Sequence, residues 1–307
     1  MKKNIIRTMG LALLVIGVLL LAGCGKKAPD NSTIIINDGQ FSEMKIIHRM
    51  VKQLVETHTD LKVTIKDEMS PVNSYRDILA GGSDLMNSYD GTLLTTYLKL
   101  DVSDIPADTT LYEFANKTAL ERENVYLLDK MGHNNTYAIA VPQKVADAYD
   151  LHSISDLEAV AGELVFGAEH EFFSEEGSMK FGPFSAFYNL KFKEARAIDL
   201  ALKYSAVESG NIDVTVVYAT DGMNRKVGLV VLEDDRTFFP EYNDALLVRA
   251  DLFERTKDTA PNLKEVLNML GGLFTDEIMT DLTYAVDIEG RTPDDVASSF
   301  LKEKGLI

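Results

Sequence analysis

The hydrophobic pattern near the start of the chain alternates between strand-like and helix-like spacing. Residues 33–36 form a short β-branched run that ends in the turn sequence Asn-Asp-Gly at 37–39, which predicts a strand and its turn. Apolar positions then recur at helical spacing through residues 44–58, and residues 61–65 alternate like a second strand. The order strand, helix, strand predicts the βαβ arrangement of a parallel α/β sheet.

The same two spacings continue along the rest of the chain. Further strands are predicted at 136–141, 164–166, 227–233 and 245–249. Helical spacing occurs within residues 75–80, 145–157, 201–209, 263–273, 276–286 and 292–302. Residues 172–188, rich in glycine and phenylalanine, predict a surface loop followed by a helix. The fold class is therefore α/β.

One sequence phrase occurs twice, and each copy ends in a tyrosine. Residues 81–89 and 210–218 share the pattern Gly-x-x-Asp-apolar-x-x-x-Tyr, and each copy follows a helix-like stretch. The glycine suits a helix C-cap, where a left-handed residue is needed, and the run after the aspartate is typical of a strand. The pattern thus predicts Tyr89 and Tyr218 at the carboxyl ends of two strands, the edge at which open α/β sheets bind ligands.

The repetition allows two interpretations. Two such units suggest two similar lobes, each offering an aromatic face to one shared cleft. Alternatively, both tyrosines are core aromatics and the repetition arose by chance. The phrase is short, so by itself it leaves both interpretations open.

The N-terminus indicates export from the cytoplasm. Basic residues precede the apolar run 9–22, which is the pattern of a signal peptide, here residues 1–23. The Leu-Ala-Gly-Cys sequence that ends at Cys24 resembles the bacterial lipobox, in which the cysteine is lipidated and becomes the first mature residue. Cys24 is also the only cysteine of the chain. An uncleaved membrane anchor is the alternative, although the run is short for a bilayer span. Residues 24–33 are expected to form a flexible tether, with the rest of the chain extracytoplasmic.

Composition narrows the choice of partners. The formal net charge is −17 over 307 residues, of which 46% are hydrophobic. A field this negative repels nucleic acid and anionic lipid and favours the approach of cations. The length suits two globular domains of roughly 100–150 residues each.

Motifs for other chemistries are missing from the sequence. It contains no P-loop, no Gly-x-Gly-x-x-Gly, no His-Glu-x-x-His and no Gly-x-Ser-x-Gly. The five histidines are scattered, and three adjacent residues such as those at 169–171 rarely converge on one ion. We therefore expect no catalytic residue, no metal and no cofactor.

Several segments, taken in order, resemble one family. They are residues 34–47, 84–96, 133–138, 166–168, 210–222 and 238–243. Together they resemble the extracytoplasmic binding proteins of osmoprotectant ABC importers, the glycine betaine/choline-type solute receptors, over nearly the whole mature chain. The resemblance implies a two-lobed periplasmic-binding-protein fold of type II, which closes around a ligand in the cleft between its lobes and docks on a permease.

The aromatic cage of that family falls on four tyrosines of this chain, Tyr89, Tyr137, Tyr218 and Tyr242. A trimethylammonium head has no N–H to donate and spreads its charge over methyl groups, so ordinary salt-bridge geometry cannot hold it. Aromatic faces can, and each contributes ~0.5–2 kcal/mol once water is excluded. The resemblance therefore implies a cation–π site, helped by burial and a hydrogen bond.

Four further residues complete the predicted ligand site. Asn135 matches a polar family position that faces the cationic head, although a structural turn role is the alternative. Asp90 stands where many relatives have threonine, and its carboxylate would accept a hydrogen bond from the hydroxyl of choline; the alternative is an Asx-type turn that caps the following glycine. Gln40 is expected to substitute for a missing family glutamine, and Thr92 belongs to the same loop as Asp90.

Departures from the family pattern affect the choice of ligand. Betaine-binding relatives carry a lysine where this chain has Gly39, and some carry an arginine where it has residues 174–176, Ser-Glu-Glu. Cations that would neutralise a bound carboxylate are thus missing from these positions, which favours choline. A third departure does not support this choice, because Met44 replaces the family glutamine and one polar contact at the far end of the pocket is lost.

The sequence as a whole predicts a lipid-anchored receptor, not an enzyme, for a quaternary ammonium compound. Choline is the first expectation; glycine betaine or carnitine, or a surface lipoprotein without a transport role, are the alternatives. The expected partners are the ABC permease and, through Cys24, the cell membrane. One lobe should comprise residues 34–134 plus 243–307, and the other residues 135–242.

Overall fold

The first strand, helix and strand fold as the hydrophobic pattern predicts. In this computed structural model, which describes residues 31–173 and 179–307, strand β1 (Thr33–Asp38) leads into helix α1 (Ser42–His58) and strand β2 (Lys62–Glu68). The two strands pair in parallel. The apolar stripe of α1, which includes Met50 and Leu54, is fully buried against them. Burial of this stripe fixes the helix on the sheet.

The other strands and helices follow in chain order. The strands are β3 (Leu85–Tyr89), β4 (Val125–Leu127), β5 (Tyr137–Pro142), β6 (Val165–Ala168), β7 (Glu194–Ala197), β8 (Val214–Tyr218), β9 (Leu229–Val231) and β10 (Asp244–Arg249). The helices are α2 (Pro71–Ala80), α3 (Asp90–Thr92), α4 (Leu111–Glu123), α5 (Gln143–Tyr149), α6 (Phe181–Phe187), α7 (Leu200–Glu208), α8 (Gly222–Lys226), α9 (Leu252–Thr256), α10 (Leu263–Leu267), α11 (Asp276–Asp287) and α12 (Pro293–Glu303). A π-helical turn, Leu93–Tyr97, continues α3.

The strands form three sheets with different directions. Strands β1 and β2 make a parallel pair, whereas β3, β10 and β4 make an antiparallel sheet in that order. The five-stranded sheet has the order β7-β6-β8-β5-β9, in which β6 pairs in parallel with β7 and β8, and β5 is antiparallel to both of its neighbours. The parallel arrangement predicted from the first βαβ unit is therefore wrong for β3 and β10. Strand β10 returns from a distant part of the chain, and local spacing says nothing about its direction.

Hydrophobic side chains collect into two regions that draw on different parts of the chain. The first core region takes its buried residues from 34–131 and 245–301. The second core region takes its buried residues from 138–239. The chain crosses between the regions twice, and the two crossings touch where Asn134 and Asn243 form an antiparallel bridge. The cores belong to one compact unit, residues 32–307.

Some predictions concern parts of the chain outside the described residues. These are the signal peptide at 1–23, lipidation of Cys24, most of the tether, and the Ser-Glu-Glu sequence at 174–176. Within the described ranges, no helix is both long enough and apolar enough to cross a membrane.

Candidate functional site

The repeated sequence phrase folds into the same local structure twice. Gly81 and Gly210 both adopt left-handed backbone conformations after a helix, with φ of 78° and 71°. Tyr89 is the last residue of β3, and Tyr218 is the last residue of β8. The predictions of a glycine cap and of a strand-end tyrosine are thus confirmed at both copies.

The aspartate in each copy of the phrase hydrogen-bonds to a neighbouring strand. The backbone amide of Asp84 donates to the Ile35 carbonyl at 2.8 Å, and Asp84 Oδ2 accepts from the Ile35 amide at 2.8 Å. Asp213 repeats the arrangement with Val165, at 2.8 Å and 3.0 Å. A carboxylate that accepts from a neighbouring strand continues the ladder beyond the end of regular pairing. Each phrase therefore locks its tyrosine-bearing strand to the adjacent strand.

Four tyrosines form two stacked pairs. The rings of Tyr89 and Tyr242 lie 5.2 Å apart between centroids with 25° between their planes. The rings of Tyr137 and Tyr218 lie 5.3 Å apart at 28°. These are the four positions to which the family cage was assigned. Each pair joins one strand-end tyrosine of the repeated phrase to one tyrosine from outside it.

Hydrogen bonds and neighbouring rings hold these side chains in place. The Tyr89 hydroxyl donates to Glu43 Oε1, and the Tyr242 hydroxyl bonds with Thr92 Oγ1. The ring of Tyr137 meets Phe172 and Phe239 edge-on, at 5.8 and 6.2 Å. Burial raises the pKa of Tyr137 and of Tyr242 above the ordinary phenol value. All of these phenols therefore stay neutral and oriented at physiological pH.

A cavity of about 820 Å³ opens beside the two pairs. Tyr137, Tyr218 and Tyr242 line it, together with Asn135. Residues of both core regions contribute to its wall, so the cavity lies where the two regions face each other. Its other lining residues are Gly91, Thr95, Thr96, Lys99, Leu100, Asp101, Val102, Asp104, Leu111, Thr136, Met179, Lys180 and Pro240. A second cavity, of about 430 Å³, is also lined by Tyr137 and Tyr218.

Asp90 is turned into the protein, not toward the cavity. Its side chain is fully buried. Oδ1 accepts from the Gly91 amide at 2.7 Å and from the Asn243 amide at 2.9 Å, and Oδ2 accepts from Asn243 Nδ2 at 2.8 Å. Burial raises the pKa of Asp90 to about 6 despite these bonds. The contacts match the turn-capping alternative and tie the start of α3 to the second chain crossing.

Asn135 lies on the cavity wall between the two core regions. Its Nδ2 donates weakly to Glu43 Oε2 at 3.4 Å and to the Tyr89 hydroxyl at 3.5 Å. Its Oδ1 accepts from the Thr220 amide at 3.5 Å. The long distances leave the amide able to reorient toward a ligand, since bonds of this length are weak.

The two residues near the start of α1 that differ from the family pattern, Gly39 and Met44, pack against each other. Gly39 and Met44 are both buried, and a Cβ at position 39 would overlap Met44 Cβ and lie 2.9 Å from its sulfur. A lysine cannot occupy position 39 unless Met44 moves. Gln40 is exposed and is not among the residues that line the two cavities. Its predicted contact with the ligand therefore has no counterpart in this geometry.

A buried charged cluster beside Tyr89 escaped the sequence analysis. His133 Nε2 lies 3.2 Å from Glu43 Oε1 and 3.3 Å from Asp244 Oδ2. One nitrogen and two carboxylate oxygens are potential metal ligands, and they lie within 4.8 Å of one another. A proton on Nε2 shared between the two carboxylates accounts for the same distances. The available signal was the position of the two residues, since Glu43 lies in the first family segment, residues 34–47, and His133 begins the third, residues 133–138.

The protonation of this cluster follows from its burial. Burial by itself lowers the pKa of His133, but the hydrogen bond to Glu43 and the charges of Glu43 and Asp244 raise it to about 9. Burial raises the pKa of Asp244 well above its usual range. The imidazolium outweighs burial at Glu43 and lowers the pKa of that carboxyl. At neutral pH the cluster therefore holds a Glu43–His133 ion pair beside a carboxyl of reduced acidity.

Two cores joined by two chain crossings, with an aromatic cavity where they face each other, define a two-lobed solute-binding protein of the periplasmic type. The chain belongs to the family of substrate-binding domains of ABC-type glycine betaine transport systems, whose model matches residues 32–303. It is a substrate-binding protein of an ABC importer for betaine-, carnitine- and choline-type compounds, and the family is extracytoplasmic.

Individual relatives show the same architecture. The chain is 30% identical to the carnitine transport binding protein of Listeria monocytogenes over 99% of this chain and 97% of that protein. It is 29% identical to an ergothioneine transport permease/binding protein of Helicobacter pylori, over 92% of this chain and 49% of that longer protein. A crystal structure described as a glycine betaine/carnitine/choline ABC transporter superposes with a TM-score of 0.80 at 27% identity, covering 89% of this chain and 99% of that one. The predicted type II fold is thereby confirmed.

Proposed function

We propose that this protein captures choline in a cage formed by Tyr89, Tyr137, Tyr218 and Tyr242 and delivers it to the permease of an ABC importer. The observation that best supports the proposal is that two stacked tyrosine pairs contribute three rings, those of Tyr137, Tyr218 and Tyr242, to the wall of one cavity. Neutral phenol rings present negative faces to a methylated cation. Four faces give roughly 2–8 kcal/mol gross, against about 8 kcal/mol for micromolar binding.

Glu43 strengthens the attraction at one of these rings. A phenol that donates a hydrogen bond to a carboxylate becomes richer in electrons, and Tyr89 donates to Glu43. The lowered pKa of Glu43 keeps the acceptor charged. The face of Tyr89 is thus a better partner for a cation than an ordinary phenol ring.

Choline is placed before glycine betaine because a cation is missing at position 39. Packing of Met44 against Gly39 excludes the lysine that betaine-binding relatives carry there. Asp90 contributes indirectly, because its bonds to Asn243 fix helix α3, whose Thr92 bonds with Tyr242. A direct bond from Asp90 to the choline hydroxyl requires the carboxylate to release Asn243 or Gly91.

The lining and the size of the cavity favour a longer zwitterion, such as carnitine, as a second candidate ligand. Lys99 and Lys180 line it, and among the described residues neither ammonium group takes part in an ion pair. A ligand carboxylate that reaches these ammonium groups would be neutralised. The volume of about 820 Å³ accommodates a molecule longer than choline.

We also propose the domain boundaries and the attachment to the membrane. The first lobe comprises residues 34–134 plus 243–307 and the second comprises residues 135–242, because the two core regions are separated at the Asn134–Asn243 bridge. Acylation of Cys24 would hold the receptor at the outer face of the membrane, within reach of its permease. Mass spectrometry of the membrane fraction tests the anchor.

Calorimetry with choline, glycine betaine and carnitine tests the proposal. Replacing Tyr137, Tyr218 or Tyr242 by leucine keeps apolar bulk but removes the π face, so each change should weaken choline binding roughly 2- to 30-fold. Tyr149→Leu is the matched control, because the Tyr149 hydroxyl bonds with Glu163, away from the cavity. Unchanged affinity in two of the three cage variants would remove the site assignment.

The ligand itself is decided by the same titrations. Tighter binding of glycine betaine than of choline would show that the argument from position 39 is wrong. If carnitine binds most tightly and Lys99→Gln or Lys180→Gln weakens carnitine alone, the second candidate is correct. No measurable binding of any of the three compounds would contradict the proposal.

A further inference from the structure

Glu43 is the point at which four donors converge. Oε1 accepts from the Tyr89 hydroxyl and from His133 Nε2 at 3.2 Å. Oε2 accepts from Thr220 Oγ1 at 2.8 Å and from Asn135 Nδ2 at 3.4 Å. The residue is only 5% exposed. Its position in the first turn of α1 adds the favourable end of the helix dipole. We call Glu43 and these four partners the Glu43 junction.

The partners of Glu43 come from both lobes. Tyr89 and His133 belong to the first lobe, like Glu43, whereas Thr220 follows β8 in the second lobe. Asn135 lies at the crossing between them. Separation of the lobes must therefore break the Glu43–Thr220 hydrogen bond. The acceptor in this bond is the buried, charged carboxylate of Glu43. A hydrogen bond to a charged group contributes more than one between neutral groups.

A second contact seats the same second-lobe turn against the first lobe. Thr283 Oγ1 of α11 donates to the Thr220 carbonyl at 2.9 Å. A Cβ added at Gly222 would lie 2.7 Å from the backbone N and Cα of Tyr284, so only glycine permits this approach. Arg225 of α8 pairs with Asp281 and lies 5.3 Å from the ring centroid of Tyr284. The turn 220–222 thus docks on α11.

We infer that Glu43 is a positioning residue that couples the placement of the Tyr89 ring to closure of the two lobes through Thr220. In the closed arrangement, one carboxylate holds a cage ring and the second lobe at the same time. When the lobes part, Glu43 loses its hydrogen bond from Thr220. The Glu43 carboxylate that accepts from Tyr89 is then held by fewer contacts, so the Tyr89 ring is less firmly positioned. The inference rests on the proposed function, because it concerns how the proposed ligand is retained.

Dissociation kinetics test the junction directly. The chain has no tryptophan, so stopped-flow tyrosine emission can follow release of choline. Thr220→Val keeps the shape of the side chain and removes its donor, and should speed release roughly 10- to 100-fold while association changes little. Thr220→Ser restores the hydroxyl and should restore slow release. Gly222→Ala should also speed release, because its Cβ keeps the turn off α11.

Thr256→Val is the matched control. It also removes a buried threonine hydroxyl, one that donates to the Leu252 carbonyl within α9 of the first lobe, and it should leave release unchanged. A double variant of Glu43→Gln with Thr220→Val should release choline no faster than Glu43→Gln alone, because the two residues act through one bond. Wild-type release rates in Thr220→Val, or additive effects in the double variant, would overturn the inference.

Failure of the proposed function is distinguishable from failure of the junction. If the wild-type protein binds no quaternary ammonium compound, small-angle X-ray scattering without ligand decides about the junction alone. Thr220→Val and Gly222→Ala should then increase the radius of gyration relative to the wild type and to Thr256→Val. Identical scattering from all four proteins would refute the coupling.

Discussion

Gly91 packs directly against the ring of Tyr242. A Cβ at position 91 would overlap the ring carbons Cε2 and Cδ2. The preceding residue, Asp90, binds Asn243, which follows Tyr242 in the chain. Helix α3 and the second chain crossing are therefore joined by two contacts, the buried Asp90 carboxylate and the close packing of the Tyr242 ring against the Gly91 backbone. This arrangement sets the position of one proposed cage ring.

Gly91→Ala should displace the ring of Tyr242 and weaken ligand binding. Overpacking of this kind costs about 1–3 kcal/mol, and a shifted ring also loses its contact with the cation. We expect at least a tenfold loss of choline affinity by calorimetry, which corresponds to about 1.4 kcal/mol. Gly162→Ala is the control, since the nearest described atom to its Cβ is the Lys191 carbonyl at 3.9 Å. Equal affinity in the two variants would contradict the proposed role of Tyr242.

The two phrase aspartates should differ in their contribution to stability. Asp84 is buried and also pairs with Arg255, whereas Asp213 bonds to Val165 at a partly exposed position. Asp84→Asn removes the charge that Arg255 faces and should cost roughly 3–5 kcal/mol of unfolding free energy. Asp213→Asn loses one charged acceptor and should cost about 1 kcal/mol. Urea unfolding compares the two variants, and a larger cost for Asp213→Asn would refute the assignment.

The pKa of His133 predicts that stability falls in mild alkali. Its pKa is about 9 in the folded protein and about 6.5 in an unfolded chain. A raised histidine pKa stabilises the fold fully below pH 6.5, and the contribution is lost as the pH rises to 9. The difference between these two pKa values makes the loss on the order of 3 kcal/mol.

Urea unfolding between pH 6 and 10 measures this loss. His133→Gln should flatten the profile over that interval, because its side chain does not titrate. His152→Gln, at an exposed side chain beside Asp150, is the comparison variant. A wild-type profile without a decrease above pH 6.5 would show that His133 is neutral in the folded protein.

Local sequence pattern determined the elements that bear the site. The repeated phrase predicted two helices, two caps and two strands, each strand ending in a tyrosine, and all are present. These features depend on residues within about ten positions of one another, where steric preference and alternation of apolar side chains act directly. Helix α4 and strand β4 were missed, although Thr110 and Glu113 form a capping box at the start of α4.

Only the tertiary structure decided what each site residue contacts. The sequence suggested Asp90 as a ligand contact, yet its carboxylate is used by Asn243, 153 positions away. Glu43 meets Thr220 across 177 positions. A hydrogen bond between residues so distant in the chain depends on the packing of whole sheets and on the crossing between two cores, and no local window encodes it. The sequence thus determined which residues stand at the strand ends. The packing of the two lobes decided which of these residues contact one another, which contact the buried Glu43, and which line the cavity.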